Sequence, residues 1–255
     1  MKLHYRVYGQ GKPLFILHGL FGSADNWNTL AKMYAKAFEV YVIDQRNHGL
    51  SPHNEQWSYQ VMTEDLMEIV TERGLERVYI MGHSMGGKTA MFAACIYPNV
   101  FDKLIVADIS PRHYPVHHDG ILEALCELPL QQIQLRQEAD AWLSGRIKEF
   151  GVRQFLLKSL HRLPDGGFGW RFNLPVIKKN IESVGVALPN TYQYPHPALF
   201  VKGEKSTYIT LEDEWQIKQQ FPFSTVNIIS DAGHWLHAEQ PDIFLAKTLS
   251  FLMNG

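Results

Sequence analysis

Arg77-Val78-Tyr79-Ile80-Met81-Gly82-His83-Ser84-Met85-Gly86-Gly87-Lys88-Thr89-Ala90 is the stretch that decides the fold. Arg77 to Met81 is an apolar run that reads as a buried strand, and the small residues from Gly86 to Tyr97, stopped by Pro98, read as a helix. Between them, Gly82-His83-Ser84-Met85-Gly86 fits G-x-S-x-G. A serine in so sharp a strand-to-helix turn needs glycines two residues to either side, because the chains pack closely there. The turn lifts the hydroxyl above the sheet. The helix that follows aims its first N–H groups at developing negative charge.

The same alternation extends in both directions. Leu3–Tyr8, Pro13–Leu17, Val40–Ile43, Leu104–Ala107, Ala198–Val201 and Val226–Ile229 read as strands. Helical spacing covers Asp25–Phe38 (Trp27, Leu30, Ala31, Tyr34, Phe38), Ser58–Arg73, Leu211–Gln220 and Pro241–Leu252. Strands without polar alternation, interleaved with helices, predict an α/β fold with a parallel sheet covered on both faces. Ligands of such sheets bind beyond the carboxyl ends of the strands. From Pro111 to Pro195 the texture changes to helical patterns, such as Val152–Leu160, with breaks at Pro129, Pro164, Gly166-Gly167 and Pro189. The expected organisation is a core of residues 1–110 and 196–255 with a mostly helical insertion, 111–195, and no internal repeat.

Composition bounds the function. The chain has 255 residues, 45% hydrophobic and 20% charged, which excludes disordered and fibrous classes. Twenty-four basic against 26 acidic residues, a formal charge of −2, give no electrostatic case for nucleic acid or an anionic membrane as partner. Cys95 and Cys126 make neither a disulfide framework nor a CxxC pair, and both are expected only to pack. No apolar run approaches the ~18–20 residues of a membrane span. Met1 to Arg6 lacks the apolar region of a secretory signal, so a cytoplasmic location is expected.

Two more strand ends carry chemistry. His18-Gly19-Leu20-Phe21-Gly22 can point a backbone N–H at the serine from another strand, so the amides of Leu20 and Met85 are the expected oxyanion hole. Losing one such donor typically costs ~3 kcal/mol of transition-state stabilisation. Asp231-Ala232-Gly233-His234-Trp235 follows the last strand and can carry His234 over the sheet to Ser84 as general base, with His237 a nearby competitor. A rival reading uses the same residues: Gly82 to Thr89 also matches the phosphate-binding loop G-x-x-x-x-G-K-T. Three points oppose it. The strand is about the fifth of the sheet rather than the first. No strand ending in an aspartate with an obvious magnesium role follows, unless Asp108 serves. His18-Gly19 and Gly233-His234 are left unexplained.

Together these motifs resemble the α/β-hydrolase superfamily over nearly the whole chain. Asp44-Gln45-Arg46-Asn47-His48-Gly49-Leu50-Ser51 looks like its D-x-R-G-x-G-x-S loop, with Asn47 in place of a glycine. The resemblance implies a mostly parallel eight-stranded sheet flanked by helices, with a helical cap inserted after the sixth strand. It also implies a triad acid. Many members carry the acid shortly after the strand that follows the insertion, where this chain has Gly203-Glu204-Lys205-Ser206-Thr207 and the expected position holds Ser206. Some members place it where Asp108 stands, after the strand beyond the nucleophile helix. Asp108 is the preferred acid, with Ser206 supplying an extra hydrogen bond and Glu204 the rival.

Arg46–Pro52, Asp108–Pro111, Phe155–Ser159, Trp170–Asn173 and Gly233–Glu239 further resemble the YbfF-type esterase branch. This branch implies hydrolysis of carboxylic esters or acyl thioesters, with the same triad in C–C bond hydrolysis or a lyase reaction as the alternative. Dehalogenases and epoxide hydrolases of the superfamily use an aspartate where this chain has Ser84. Phe21, His83, Trp235, Leu50 and apolar residues of the insertion are expected to line an acyl pocket. No cofactor or metal is required. His113, His117, His118 and Asp119 cluster, but Pro115 interrupts a helical ligand pair, and a polar hinge is expected there. The expected partner is a small ester or thioester, bound by a monomer or small homo-oligomer.

Overall fold

Alternate residues of the apolar runs are buried on opposite faces of a single sheet. The computed structural model describes residues 1–115, 119–164 and 166–254. The chain runs through β1 (Tyr5–Tyr8), β2 (Lys12–Leu17), α1 (Asn28–Tyr34), β3 (Phe38–Ile43), α2 (Tyr59–Glu72), β4 (Val78–His83), α3 (Met85–Ile96) and β5 (Phe101–Ala107). The inserted segment then contributes α4 (Asp119–Glu127), α5 (Arg136–Ser144), α6 (Phe150–Leu157), the short strands β6 (Leu160–Arg162) and β7 (Phe168–Trp170), and α7 (Leu174–Lys179). The sheet resumes with β8 (Ala198–Gly203), followed by α8 (Leu211–Gln220), β9 (Ser224–Ile229), α9 (Leu236–Glu239) and α10 (Pro241–Met253).

The main sheet has the order β1-β3-β2-β4-β5-β8-β9, with β1 antiparallel to β3 and every other pairing parallel. Phe15, Leu17, Ile80, Leu104, Val106 and Phe200 pack on one face with α2, α3 and the inserted segment. Leu14, Ile16, Met81, Ile105, Leu199 and Val201 pack on the other with α1 and α10. Two buried faces explain why these strands read as unbroken apolar runs.

Several expectations need correction. The sheet has seven strands among the described residues, not eight; the apolar runs themselves number seven, and the eighth came from the resemblance. The insertion therefore follows the fifth strand rather than the sixth, and the serine-bearing strand is the fourth rather than about the fifth. The helix expected over Asp25–Phe38 is a short 3-10 turn, Ala24–Trp27, followed by α1, while Phe38 opens β3. The helical pattern over Val152–Leu160 ends at Leu157, and Leu160 starts a hairpin that stays apart from the main sheet. The apolar residues of the insertion, among them Leu122, Leu143, Leu156 and Ile177, share one core with the sheet face beneath them.

Candidate active site

Ser84 stands between β4 and α3 with φ 53° and ψ −119°. A non-glycine residue in this region carries strain of roughly 1–3 kcal/mol, which packing must hold. The packing is close: a Cβ on Gly82 would lie 2.1 Å from the Gly86 carbonyl oxygen, and one on Gly86 would lie 2.5 Å from that of His18. Only glycine fits either position, which is the physical content of the motif. The Ser84 amide donates to the Ala107 carbonyl at 3.0 Å, tying the turn to the end of β5.

Asp108 follows directly, fully buried and with φ 51°. Its amide donates to Val201 at 2.8 Å, and its Oδ1 accepts from the Gly203 amide at 3.1 Å. Its Oδ2 accepts from His234 Nδ1 at 2.8 Å and from the Ser206 hydroxyl. Because Nδ1 donates to a carboxylate, the neutral ring presents Nε2 as an acceptor. The imidazole also stacks on Tyr208, centroids 3.9 Å apart and planes 18° apart. Ser84 and His234 line one cavity of about 540 Å³, together with Leu20, Phe21, His83, Met85, Lys88 and Trp235. Ile109, Ile121, Val152, Phe155, Leu156 and Val184 make its remaining walls mostly apolar.

The loop from His18 to Gly22 is held from behind. His18 Nε2 accepts from the Gln45 amide at 3.0 Å, so its Nδ1 carries the proton and donates to Gly19 at 2.8 Å. His48 Nε2 accepts from the Phe21 amide at 3.2 Å, and its Nδ1 donates to Arg46 at 3.0 Å. Both rings are buried and neutral: burial lowers the His18 pKa, and burial followed by the neighbouring His18 takes His48 to about 3. The Gly22 amide donates to Gly19 at 3.0 Å. Among the described residues no acceptor meets the amides of Leu20 or Met85, which both border the cavity.

Residues 12–125 match the family model described as the alpha/beta hydrolase fold. The chain is 37% identical over 258 residues to "Esterase YbfF" of Escherichia coli, covering 99% of each. It is 38% identical to "sn-1-specific diacylglycerol lipase ABHD11" of Mus musculus, covering 94% of this chain and 80% of that one. The solved structure titled "Marine microorganism esterase" superposes with a TM-score of 0.96 at 45% identity, covering 98% of this chain and 99% of that one. The chain belongs to the α/β-hydrolase family, in its YbfF-type branch.

In this hydrolase the predicted residues fall in different places. Asp108, His234 and Ser206 form one hydrogen-bonded group, and Ser84 lines the same cavity as His234, with Leu20, Met85, Phe21 and Trp235. His83 borders it too, but its Nε2 donates to the His234 carbonyl at 2.8 Å, so it braces the histidine loop. Burial, then His237 and His234, depress its pKa, keeping the ring neutral. Glu204 is not beside His234: its carboxylate accepts from the Asp231 amide at 2.9 Å. His237 is buried against Trp27, rings 4.3 Å apart, and burial with the adjacent His234 takes it to about 3. Leu50 is 55% exposed and outside the cavity lining.

Cys95 lies in α3, where burial pushes the thiol up to about 12, and Cys126 is exposed on α4. Of the proposed histidine cluster, His117 and His118 lie outside the described residues. Asn47 has φ 65°, which asparagine tolerates, so it can replace the usual glycine. Its backbone and side chain also bond Asn173 of the insertion at 2.8 and 3.1 Å. The phosphate-loop reading fails on Lys88, whose fully buried Nζ is spent on three backbone carbonyls. Tyr208 was not legible in the sequence, since an aromatic two residues past Ser206 follows no motif. Among the described residues no helix is long and apolar enough to cross a membrane.

Proposed function

We propose that this hydrolase cleaves carboxylic esters, and acyl thioesters of similar shape, through an acyl-enzyme on Ser84. The reading is carried by the Asp108–His234 contact of 2.8 Å beside a strained serine turn in an apolar cavity. The names of the similar proteins, esterase and diacylglycerol lipase, support an ester rather than a carbon–carbon bond as the target.

In the proposed mechanism His234 Nε2 takes the Ser84 proton as Oγ attacks the acyl carbon. Ser84 Oγ makes no side-chain hydrogen bond among the described residues, and the contact with Nε2 forms as substrate fills the site. The amides of Leu20 and Met85 stabilise the oxyanion. His234 returns the proton to the departing alcohol or thiol. It then takes a proton from water as the water oxygen attacks the acyl-enzyme, and returns that proton to Ser84 Oγ as the acid departs. Asp108 stays ionised throughout, holding the ring orientation and stabilising the imidazolium. The inserted segment acts as a cap: Ile121, Val152, Phe155 and Leu156 shape the acyl site and exclude water.

With p-nitrophenyl esters as substrates, Ser84→Ala lowers kcat by about 10³-fold or more while the circular dichroism spectrum is unchanged. Turnover equal to wild type in that variant rejects the assignment.

A further inference from the structure

Lys88, a buried cation four residues after Ser84, is left unused by the mechanism. It lies in the first turn of α3, where its amide bonds the Ser84 carbonyl at 3.0 Å. A cation there opposes the helix macrodipole. Its side chain is fully buried, and burial, then Arg112, lowers its pKa to about 7, with Asp213 acting in the opposite direction. The stability of α3 therefore gives no reason for a lysine at this position.

The partners of Nζ do give one. It donates to Pro111 at 3.0 Å, to Arg112 at 2.5 Å and to Val186 at 3.1 Å. An ammonium has three N–H donors, and three carbonyls receive them. Pro111 and Arg112 lie where the chain leaves the sheet for the insertion; Val186 lies where it returns. These two crossings are also paired directly, Leu188 to Pro111 and Tyr114 to Gly185, each at 2.8 Å. Tyr114 lies 5.2 Å below the ammonium, and Asp213 is held away by Arg112 at 2.9 Å and by Ser110 at 3.0 Å. Both crossings supply wall to the cavity, through Ile109, Tyr114 and Val184.

We propose that Lys88 is a positioning residue that clamps both crossings of the insertion to the nucleophile helix and so sets the wall against which longer acyl chains bind. The proposal rests on the esterase reading for its kinetic arm only. An acetyl group occupies little of the cavity and does not depend on that wall, whereas an octanoyl chain does.

The test compares Lys88→Met and Lys88→Gln with wild type on p-nitrophenyl acetate and octanoate, with hydrogen exchange read by mass spectrometry. In Lys88→Met, KM rises about tenfold more for the octanoate than for the acetate. Lys88→Gln, which keeps two donors, falls between the two. Exchange accelerates in residues 109–115 and 184–188 and not in β2 or β3. Equal losses on both esters, or unchanged exchange at the two crossings, overturn the proposal. Should those variants not fold, Lys88→Arg, which keeps the cation but not the geometry of the ammonium, carries the same ester and exchange comparisons, with the same outcomes supporting or overturning the clamp. Failure of the esterase reading would show separately, as wild-type turnover insensitive to Ser84→Ala, and leaves the exchange arm intact.

Discussion

Asp108 shows what one position in this chain must satisfy. Its carboxylate is fully buried, yet it accepts from His234, Ser206 and the Gly203 amide, so its lone pairs are met. Burial without those donors would cost several kcal/mol, on the order estimated for buried unpaired ions. Removing the charge while keeping the shape tests its role: Asp108→Asn lowers kcat on p-nitrophenyl esters by about 10³- to 10⁴-fold, because the ring loses its fixed tautomer. Glu204→Gln in the same assay stays close to wild type, since Glu204 serves the Asp231 amide instead. An Asp108→Asn variant with ordinary turnover, or a severe loss confined to Glu204→Gln, moves the acid elsewhere. At this scale the proposed nucleophile and base, Ser84 and His234, were legible as candidates because each follows a strand and is set off by glycine. The acid was legible only as a choice between Asp108 and Glu204, with Ser206 at the position where many relatives carry it. Which carboxylate reaches a histidine depends on β5 and β8 being neighbours, and spacing along the chain does not encode that pairing. His83 was readable as a cavity residue but not as a brace, since its partner is a backbone carbonyl far away in sequence.

Elements were most legible where both faces of a strand or one whole face of a helix are buried. α8 has the bounds read from the sequence, and α2 differs by one residue at each end, with Ser58 accepting from the Val61 amide as its cap. The pattern misleads where apolar spacing runs across a break. Trp27, Leu30, Ala31 and Tyr34 do pack on one side, but Phe38 belongs to β3, and the chain leaves α1 at Ala35. Periodicity cannot distinguish a helical residue from a strand residue that reaches the same core. The β6–β7 hairpin was illegible for a similar reason: strands of three residues are too short to show alternation. The contacts that hold the insertion over the site also escaped sequence reading. The Ser159 hydroxyl donates to the Phe21 carbonyl at 2.8 Å, and Asn173 bonds Asn47, so two polar ties join the insertion to loops at the carboxyl edge of the sheet.

For the whole molecule, the strand and helix alternation established the fold, while the count of eight strands was carried by resemblance and did not survive. The buried histidines set a property of the entire chain. His18, His48, His83 and His237 are each at most 6% exposed, and all have folded-state pKa values depressed by burial. Each stays neutral in the fold but takes a proton at about 6.5 when unfolded, so its contribution is complete above that pH and is lost as the pH falls toward the folded value, about 3 for His48 and His237. The loss is about 1.4 kcal/mol per histidine per pH unit, and four such groups are comparable with a whole domain's stability within about two units. Acid unfolding followed by circular dichroism therefore has its midpoint between about pH 4 and 6. His237→Phe, which keeps the stack on Trp27, moves it lower. A fold intact at pH 3.5 contradicts this. Most direct of all is exposure of the native protein to a fluorophosphonate probe, followed by mass spectrometry of its peptides. One stoichiometric adduct is expected, on Ser84, abolished in His234→Ala; no adduct, or one on another serine, contradicts a nucleophilic Ser84.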